Sequence, residues 1–358
     1  MNTEKLSKEA LQKRIKGLAS EAPPIYGMDL SNQDYSGMDL AGAIFSQCNF
    51  SQTKFDKCNL KQAAFVDCNI SGTSFTNSNL TETNFAKCKG KSPIFTGSEC
   101  THTTIAESNL EGLVVDKVVA DTFTLVESQL LNSSWIQAKL KQCTFMNTNL
   151  DGSNFSESEH YRSNYIDCQT HNLTFVKSKL ELVYFQNANF TEFDFTQVNI
   201  QICQFKDCVL ERANFSGCFV SQCGFTDAKL SGANFTKAMA NNALFMKSDL
   251  TGCNFTQANI EQGLFPEAIL NQAIFDKANM KQAYLNQVKA HKASFNGAEL
   301  TYVDFSHADL READMRDASL YRANLHEIIE QNTKWQGASR ELALETDKKR
   351  QQAEQFKP

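Results

Sequence analysis

The chain has 358 residues, 41% of them hydrophobic, and a formal net charge of −6. This mild acidity lacks the clustered basic charge of a nucleic-acid footprint, so no direct nucleic-acid partner is expected. No apolar run approaches the roughly 20 residues that cross a bilayer, so no membrane span is expected. Twenty-seven Phe against two Trp is unusual usage and implies selection of Phe at defined positions.

At the N-terminus, MNTEKLSKEALQKRIKG has no apolar segment after its charges, so no secretory signal is expected. The expected location is cytoplasmic, where thiols stay reduced. Leu11, Ile15 and Leu18 form a short helical stripe, which Gly17 and Pro23-Pro24 would end. Residues 1–25 therefore read as a capping helix with its linker.

From 26 to 325 the sequence repeats every five residues. Of the 60 positions divisible by five between Leu30 and Leu325, 53 are large and apolar, and 23 of the 27 Phe lie on them. The exceptions are Gly90, Cys100, Ala120, His160, Thr170, Ala240 and Ala290. We call the large residue the anchor. Two residues before it stands a small one (Ala, Ser, Thr or Cys), and the residue just before it is often Asn or Asp.

A period of five fits neither usual element. On a helix each step of five turns about 500°, smearing the anchors around the cylinder. On a flat strand an odd step sends successive anchors to opposite faces. All anchors are buried together only if the chain turns a corner every five residues. Four corners close a coil of about 20 residues, and coils stack at about 4.8 Å. The expected fold is an all-β quadrilateral β-helix of about 15 coils, roughly 70 Å long. Phe205, Phe225, Phe245 and Phe265 should form one column. Around Ala120 the small position becomes large (Leu113, Val118, Phe123), which reads as volume compensation.

Two stretches, Cys88–Phe123 and Ser156–His171, are less regular but keep phase, and drift and function are both open readings of them. After Leu325 the register fades, with Trp335 as a candidate last inward residue. Residues 326–358 read as a C-terminal cap and charged tail, and Ser339–Pro358 as a short helix or an unstructured segment.

The unit, as in Ala213-Asn214-Phe215-Ser216-Gly217 and Ala308-Asp309-Leu310-Arg311-Glu312, resembles the pentapeptide-repeat family. That resemblance implies a right-handed quadrilateral β-helix over about 300 residues. It is weak for function, which lives in sites grafted on folds.

Eleven of the twelve Cys occupy the small position, and Cys100 an anchor position, so they read as inert core thiols. No His or Cys pair has zinc-motif spacing, and no phosphate-binding or nucleophile motif occurs. No metal, cofactor or catalytic residue is expected, because a filled solenoid offers no concave, desolvated pocket. His291 and His307 should point outward. His160 takes an anchor position, which a local bulge would explain; a switch or ligand role is the alternative.

The expected function is a non-catalytic protein-interaction scaffold or adaptor. Candidate contact residues are His160, Tyr161, Arg162, His102, Tyr321 and Trp335. The closing segment, from Ala323-Asn324-Leu325-His326 through Trp335-Gln336-Gly337-Ala338 to Phe356-Lys357-Pro358, is similar to pentapeptide-repeat proteins of bacterial type VI secretion clusters. That similarity implies a secretion component or effector as partner, with a loading role for spike proteins. The alternative implied by the family is DNA mimicry toward DNA gyrase. Residues 28–325 hold 24 Lys/Arg and 32 Asp/Glu, net −8, whereas about 70 Å of duplex carries roughly 40 charges. Family members also suggest a homodimer through the C-terminal coil.

Overall fold

The structure is a computed structural model that describes residues 6–16 and 24–355. The chain divides into two compact units, Met1–Tyr184 and Phe185–Pro358. Leu18, Gly17 and Pro23 of the expected stripe and its stop lie outside the described residues, as do Phe356, Lys357 and Pro358 of the tail.

In the first unit, helix α1 spans Lys8–Lys16. Ser7 starts it, accepting from the Ala10 N–H at 3.2 Å. Leu11 is fully buried. The Tyr35 hydroxyl donates to the Leu6 carbonyl at 2.8 Å, and Gln12 donates to the Asp39 carbonyl at 3.3 Å. Beyond α1, short segments stack in parallel with partners twenty residues apart, as Phe45 on Phe65 and Phe65 on Phe85. His160 pairs in this way with Leu140 and Leu180.

The corners explain the period. In Phe50–Thr53 the Thr53 N–H donates to the Phe50 carbonyl at 2.9 Å, with Gln52 at φ 59°. This is a type II-like turn, and it places a left-handed residue two after nearly every anchor. The Asn preceding an anchor serves the same corner: Asn49 Oδ1 accepts the Ser51 N–H at 3.1 Å. Asn69 also donates to Asn49 across coils at 3.1 Å.

The small positions are inward too, and their polar atoms are satisfied. The Thr53 hydroxyl donates to the Leu30 carbonyl at 2.7 Å, and the Ser78 hydroxyl to Phe55 at 2.6 Å. Leu113, Val118 and Phe123 are fully buried beside Val115, Ala120 and Leu125, so the large and small positions do exchange volume there. Gly90 has its own reason: a Cβ would come within 2.7 Å of the Ser71 backbone nitrogen.

The second unit continues the same pattern within itself. Phe205, Phe225, Phe245 and Phe265 form one column, with ring centroids 5.3, 5.0 and 4.8 Å apart and planes within 12°. Rings of the other Phe column meet them edge-on, as Phe225 and Phe235 do at 5.8 Å and 88°.

Main-chain pairing runs past Leu325 to the Asn324–Leu344 bridge. The anchors of this last stretch change character. Arg340 donates to both carboxylate oxygens of Glu330 at 2.8 and 2.9 Å and lies 4.6 Å over the Trp335 ring. A 3-10 turn at Arg340–Leu342 and helix α2, Lys348–Gln355, follow. Asp347 begins α2, its Oδ1 accepting the Lys349 N–H at 2.8 Å.

Candidate interaction site

His160 does not belong to a surface, and the chain does not bulge there. It keeps register with Leu140 and Leu180 and is 1% exposed. Its Nε2 lies 2.7 Å from Ser158 Oγ, and its Nδ1 2.8 Å from the Tyr165 hydroxyl. Ser158 spends its own proton on the Phe155 carbonyl at 2.5 Å. It must therefore accept from His160, which assigns the neutral Nε2–H tautomer with Tyr165 donating to Nδ1. Burial pushes the His160 pKa down to about 3. The polar ring replaces a Leu because its neighbours satisfy both nitrogens.

The other candidates of the first unit do reach solvent. Arg162 is exposed and lies 5.2 Å over the half-buried Tyr161 ring. His102 is exposed at the same kind of left-handed corner. Three coil steps separate His102 from Arg162, roughly 14 Å at the ladder spacing. In the second unit, Tyr321 is 47% exposed and packs edge-on against Tyr302 at 5.8 Å. Trp335 is half-buried under Arg340, its Nε1 donating to Glu330 at 3.0 Å. Both expected irregular stretches follow the coil-to-coil pairing, as the bridges Lys89–Asn109 and Asn149–Gln169 illustrate.

The departure from regularity lies elsewhere, in the second unit. A cleft of ≈690 Å³ opens beside Thr196–Gln201 and Gly217–Phe219. Phe219, at the outward position just before an anchor, is 70% exposed there. From Gly27 to Gly337 the corner residues are left-handed, with Gln197 the one exception among the described residues. The cause is volume. Phe193 and Val198 occupy consecutive small positions, yet the anchors after them, Phe195 and Ile200, stay large. The Phe193 and Phe195 centroids are only 4.5 Å apart. Overfilling a packed core displaces backbone: Phe193 is left only half-buried, and the corner at Gln197 loses its left-handed residue. This contrast with Leu113–Leu125, where the anchors shrink, is the sequence signal that identifies the site.

A second cluster gathers at α2. His307 and His326 Nε2 lie 3.3 and 3.1 Å from Glu354 Oε2. The three ligand atoms are close enough for a metal, within 4.8 Å. However, the Asp347 N–H donates to His326 Nδ1 at 3.1 Å. That leaves the ring proton on Nε2, aimed at Glu354, the opposite of the tautomer a Nε2 metal ligand needs. The arrangement is a hydrogen-bonded latch. The His326 hydrogen bond and Arg350 hold the Glu354 carboxyl down at about 2.

All twelve cysteines are buried thiols. Those in the small position use the carbonyls that Ser and Thr use elsewhere, as Cys253 does with Leu230 at 3.0 Å. Burial raises most of them, Cys88 to about 12. No helix among the described residues is long and apolar enough to cross a membrane.

The family model described as "Pentapeptide repeat region" matches residues 38–114, 138–215 and 218–295, and that described as "Pentapeptide repeats (8 copies)" matches 298–328. No curated protein sequence matches the chain. Among solved structures, trypsin-treated QnrB1, a plasmid-mediated fluoroquinolone resistance protein, aligns at 14% identity over 55% of this chain and 89% of its own, with a TM-score of 0.40. HetL, a pentapeptide repeat protein of the cyanobacterium Nostoc sp. involved in heterocyst differentiation regulation, aligns at 14% identity over 96% of this chain and 98% of its own, with a TM-score of 0.19. A pentapeptide repeat protein of the Arabidopsis thaliana thylakoid lumen aligns at 23% identity over 26% of this chain and 59% of its own, with a TM-score of 0.17. The repeat read from the residues, the twenty-residue coil and the matched family models, which together span most of the sequence, place this chain in the pentapeptide repeat family.

Proposed function

We propose that the protein is a non-catalytic interaction scaffold or adaptor whose partner is another protein. The observation that carries this reading is the filled interior: anchors and small positions are buried almost throughout, so recognition chemistry is left to the outer positions. Those positions carry repeating Asn, Thr, Lys, Glu and Gln, a surface suited to docking and not to desolvating a substrate. A secretion component or effector is the favoured partner, on the similarity of the closing segment to type VI cluster proteins. In a type VI-competent host, deleting the gene should abolish export of a spike or effector encoded beside it, and the full-length chain should bind that protein directly. Normal export without the gene, with no direct binding, would sink the secretion role.

DNA mimicry toward gyrase is the weaker reading, because a net charge of −8 over residues 28–325 is small beside that of a duplex. Quinolone inhibition of gyrase supercoiling should be unchanged by the protein. A homodimer through the C-terminal coil is also disfavoured, since Glu330, Trp335 and Arg340 replace the apolar anchors there with a paired polar set.

A further inference from the structure

The cleft at Gln197 is a break in a hydrogen-bonded ladder, and this decides what chemistry fits it. One coil further on, the ladder is intact. Gly217 N–H donates to Thr236 at 2.9 Å, Val220 N–H to Met239 at 2.8 Å, Gln222 N–H to Asn241 at 2.9 Å, and Met239 N–H to Cys218 at 2.9 Å. The equivalent bonds one coil earlier would run from Gln197 to Ser216, Ile200 to Phe219, Ile202 to Ser221, and Phe219 to Val198. Among the described residues none of the four is formed. On either side the ladder resumes, with Phe195 N–H donating to Asn214 at 2.9 Å and Phe205 N–H to Gly224 at 2.7 Å. The opening is therefore local, and it leaves main-chain donors and acceptors of both coils without ladder partners, as at a sheet edge.

Apolar surface accompanies these groups. Phe219 is 70% exposed, Met239 on the paired segment 36%, and Ile202 42%. Val198 and Cys218 line the cleft between Asn199, Gln201 and Thr196. No charged side chain lines it. An uncharged cleft with unused ladder groups and an aromatic at its lip matches an extended peptide. Main-chain bonds would supply affinity, and alternate side chains would supply specificity.

We propose that this cleft binds an extended, uncharged segment of the partner protein by β-strand addition, with an apolar side chain of that segment packed on Phe219. The proposal rests on the scaffold reading and names the surface and chemistry by which it would act. Oversized Phe193 and Val198 hold the ladder open, so the site is built into the packing and not induced by the peptide.

The test uses the full-length chain and a phage-displayed library of unstructured dodecapeptides. In the free protein the Phe219 and Ile202 amides should exchange with solvent at least a hundredfold faster than those of Val220 and Gln222. Selected peptides should slow that exchange. They should lose at least tenfold in affinity when alternate residues are N-methylated, which leaves the protein unchanged. Phe219→Asp should lose binding with an unaltered melt, since the ring is exposed. Val198→Ala, which removes excess volume, should restore protection at Phe219 in the free protein and weaken the same peptides. Exchange at Phe219 as slow as at Val220 in the free protein overturns the proposal, as does failure of the library to enrich any peptide over Phe219→Asp. Peptides that bind equally well when N-methylated overturn strand addition and leave the scaffold reading standing. Failure of the full-length chain to bind any neighbouring secretion protein would remove the secretion role and leave strand addition intact.

Discussion

The His160 imidazole accepts a hydrogen bond from the Tyr165 hydroxyl 2.8 Å away, with both rings sealed inside the first unit. The two side chains are five residues apart and occupy successive anchors, so consecutive walls of one coil meet at this bond. Charging the ring there would break it and leave an ion in an apolar stack. His160 therefore couples an interior packing position to pH.

The sign of that coupling follows from the pKa. Burial holds His160 at about 3, below its ordinary 6.5. Between those values the unfolded chain binds one more proton, so stability is full above about pH 6.5 and is lost as pH falls toward 3. The slope is about 1.4 kcal/mol per pH unit from this residue. Denaturant melts at pH 7, 6, 5 and 4 should show this component, and the double change His160→Leu with Tyr165→Phe should remove it. An unaltered slope in the double variant would contradict the buried neutral assignment.

Ile202 is β-branched and sits at φ 52°, where most corners carry Gly, Asn, Asp or a straight side chain. Left-handed backbone is a poor fit for such a residue. Ile202→Asn should raise stability by about 1 kcal/mol, read as a higher midpoint in urea with an unchanged m-value. A lower midpoint would mean that the exposed Ile side chain makes packing contacts worth more than the backbone relief.

The Phe columns give a sharper contrast between inside and outside. Phe225 is fully buried between Phe205 and Phe245, whereas Lys229 is exposed. Phe225→Asp should cost several kcal/mol by burying an unpaired charge. Lys229→Glu should change the melt by no more than about 0.5 kcal/mol.

At the C-terminus, Glu354 joins α2 to His326 and His307. The carboxyl is lowered from 4.5 to about 2 by the His326 hydrogen bond and Arg350. Its contribution to docking is therefore present above pH 4.5 and lost as pH falls through 2. Glu354→Ala should speed amide exchange across Lys348–Gln355 severalfold at pH 7 while leaving the exchange of Phe295 and Phe305 unchanged. Added zinc should not slow α2 exchange in the wild type, because the His326 proton faces the carboxylate.

Much of the fold was legible because its rule is one-dimensional. A large residue every five positions leaves only one way to bury all the anchors, and the Phe205–Phe265 column follows by counting in twenties. The cysteines were legible for the same reason, as small residues at small positions. His160 was misread as a bulge because its fitness depends on Ser158 and Tyr165 supplying partners across the interior. Trp335 marks the end of the apolar anchors, but its pairing with Arg340 and Glu330 depends on three successive positions of the last coil meeting side by side.

The amino-acid order by itself determined the coil, its corners and which residues face inward, because those depend on local spacing and on the volume of each residue. Tertiary structure alone decided where that pattern yields. Phe193 and Val198 are each tolerable in isolation, as Leu173 is beside Phe175 and Val303 beside Phe305. Only packing against undiminished Phe195 and Ile200 turns their excess volume into an opened ladder with Phe219 at its lip. The site is a property of summed volumes around a closed coil, and no single position encodes it.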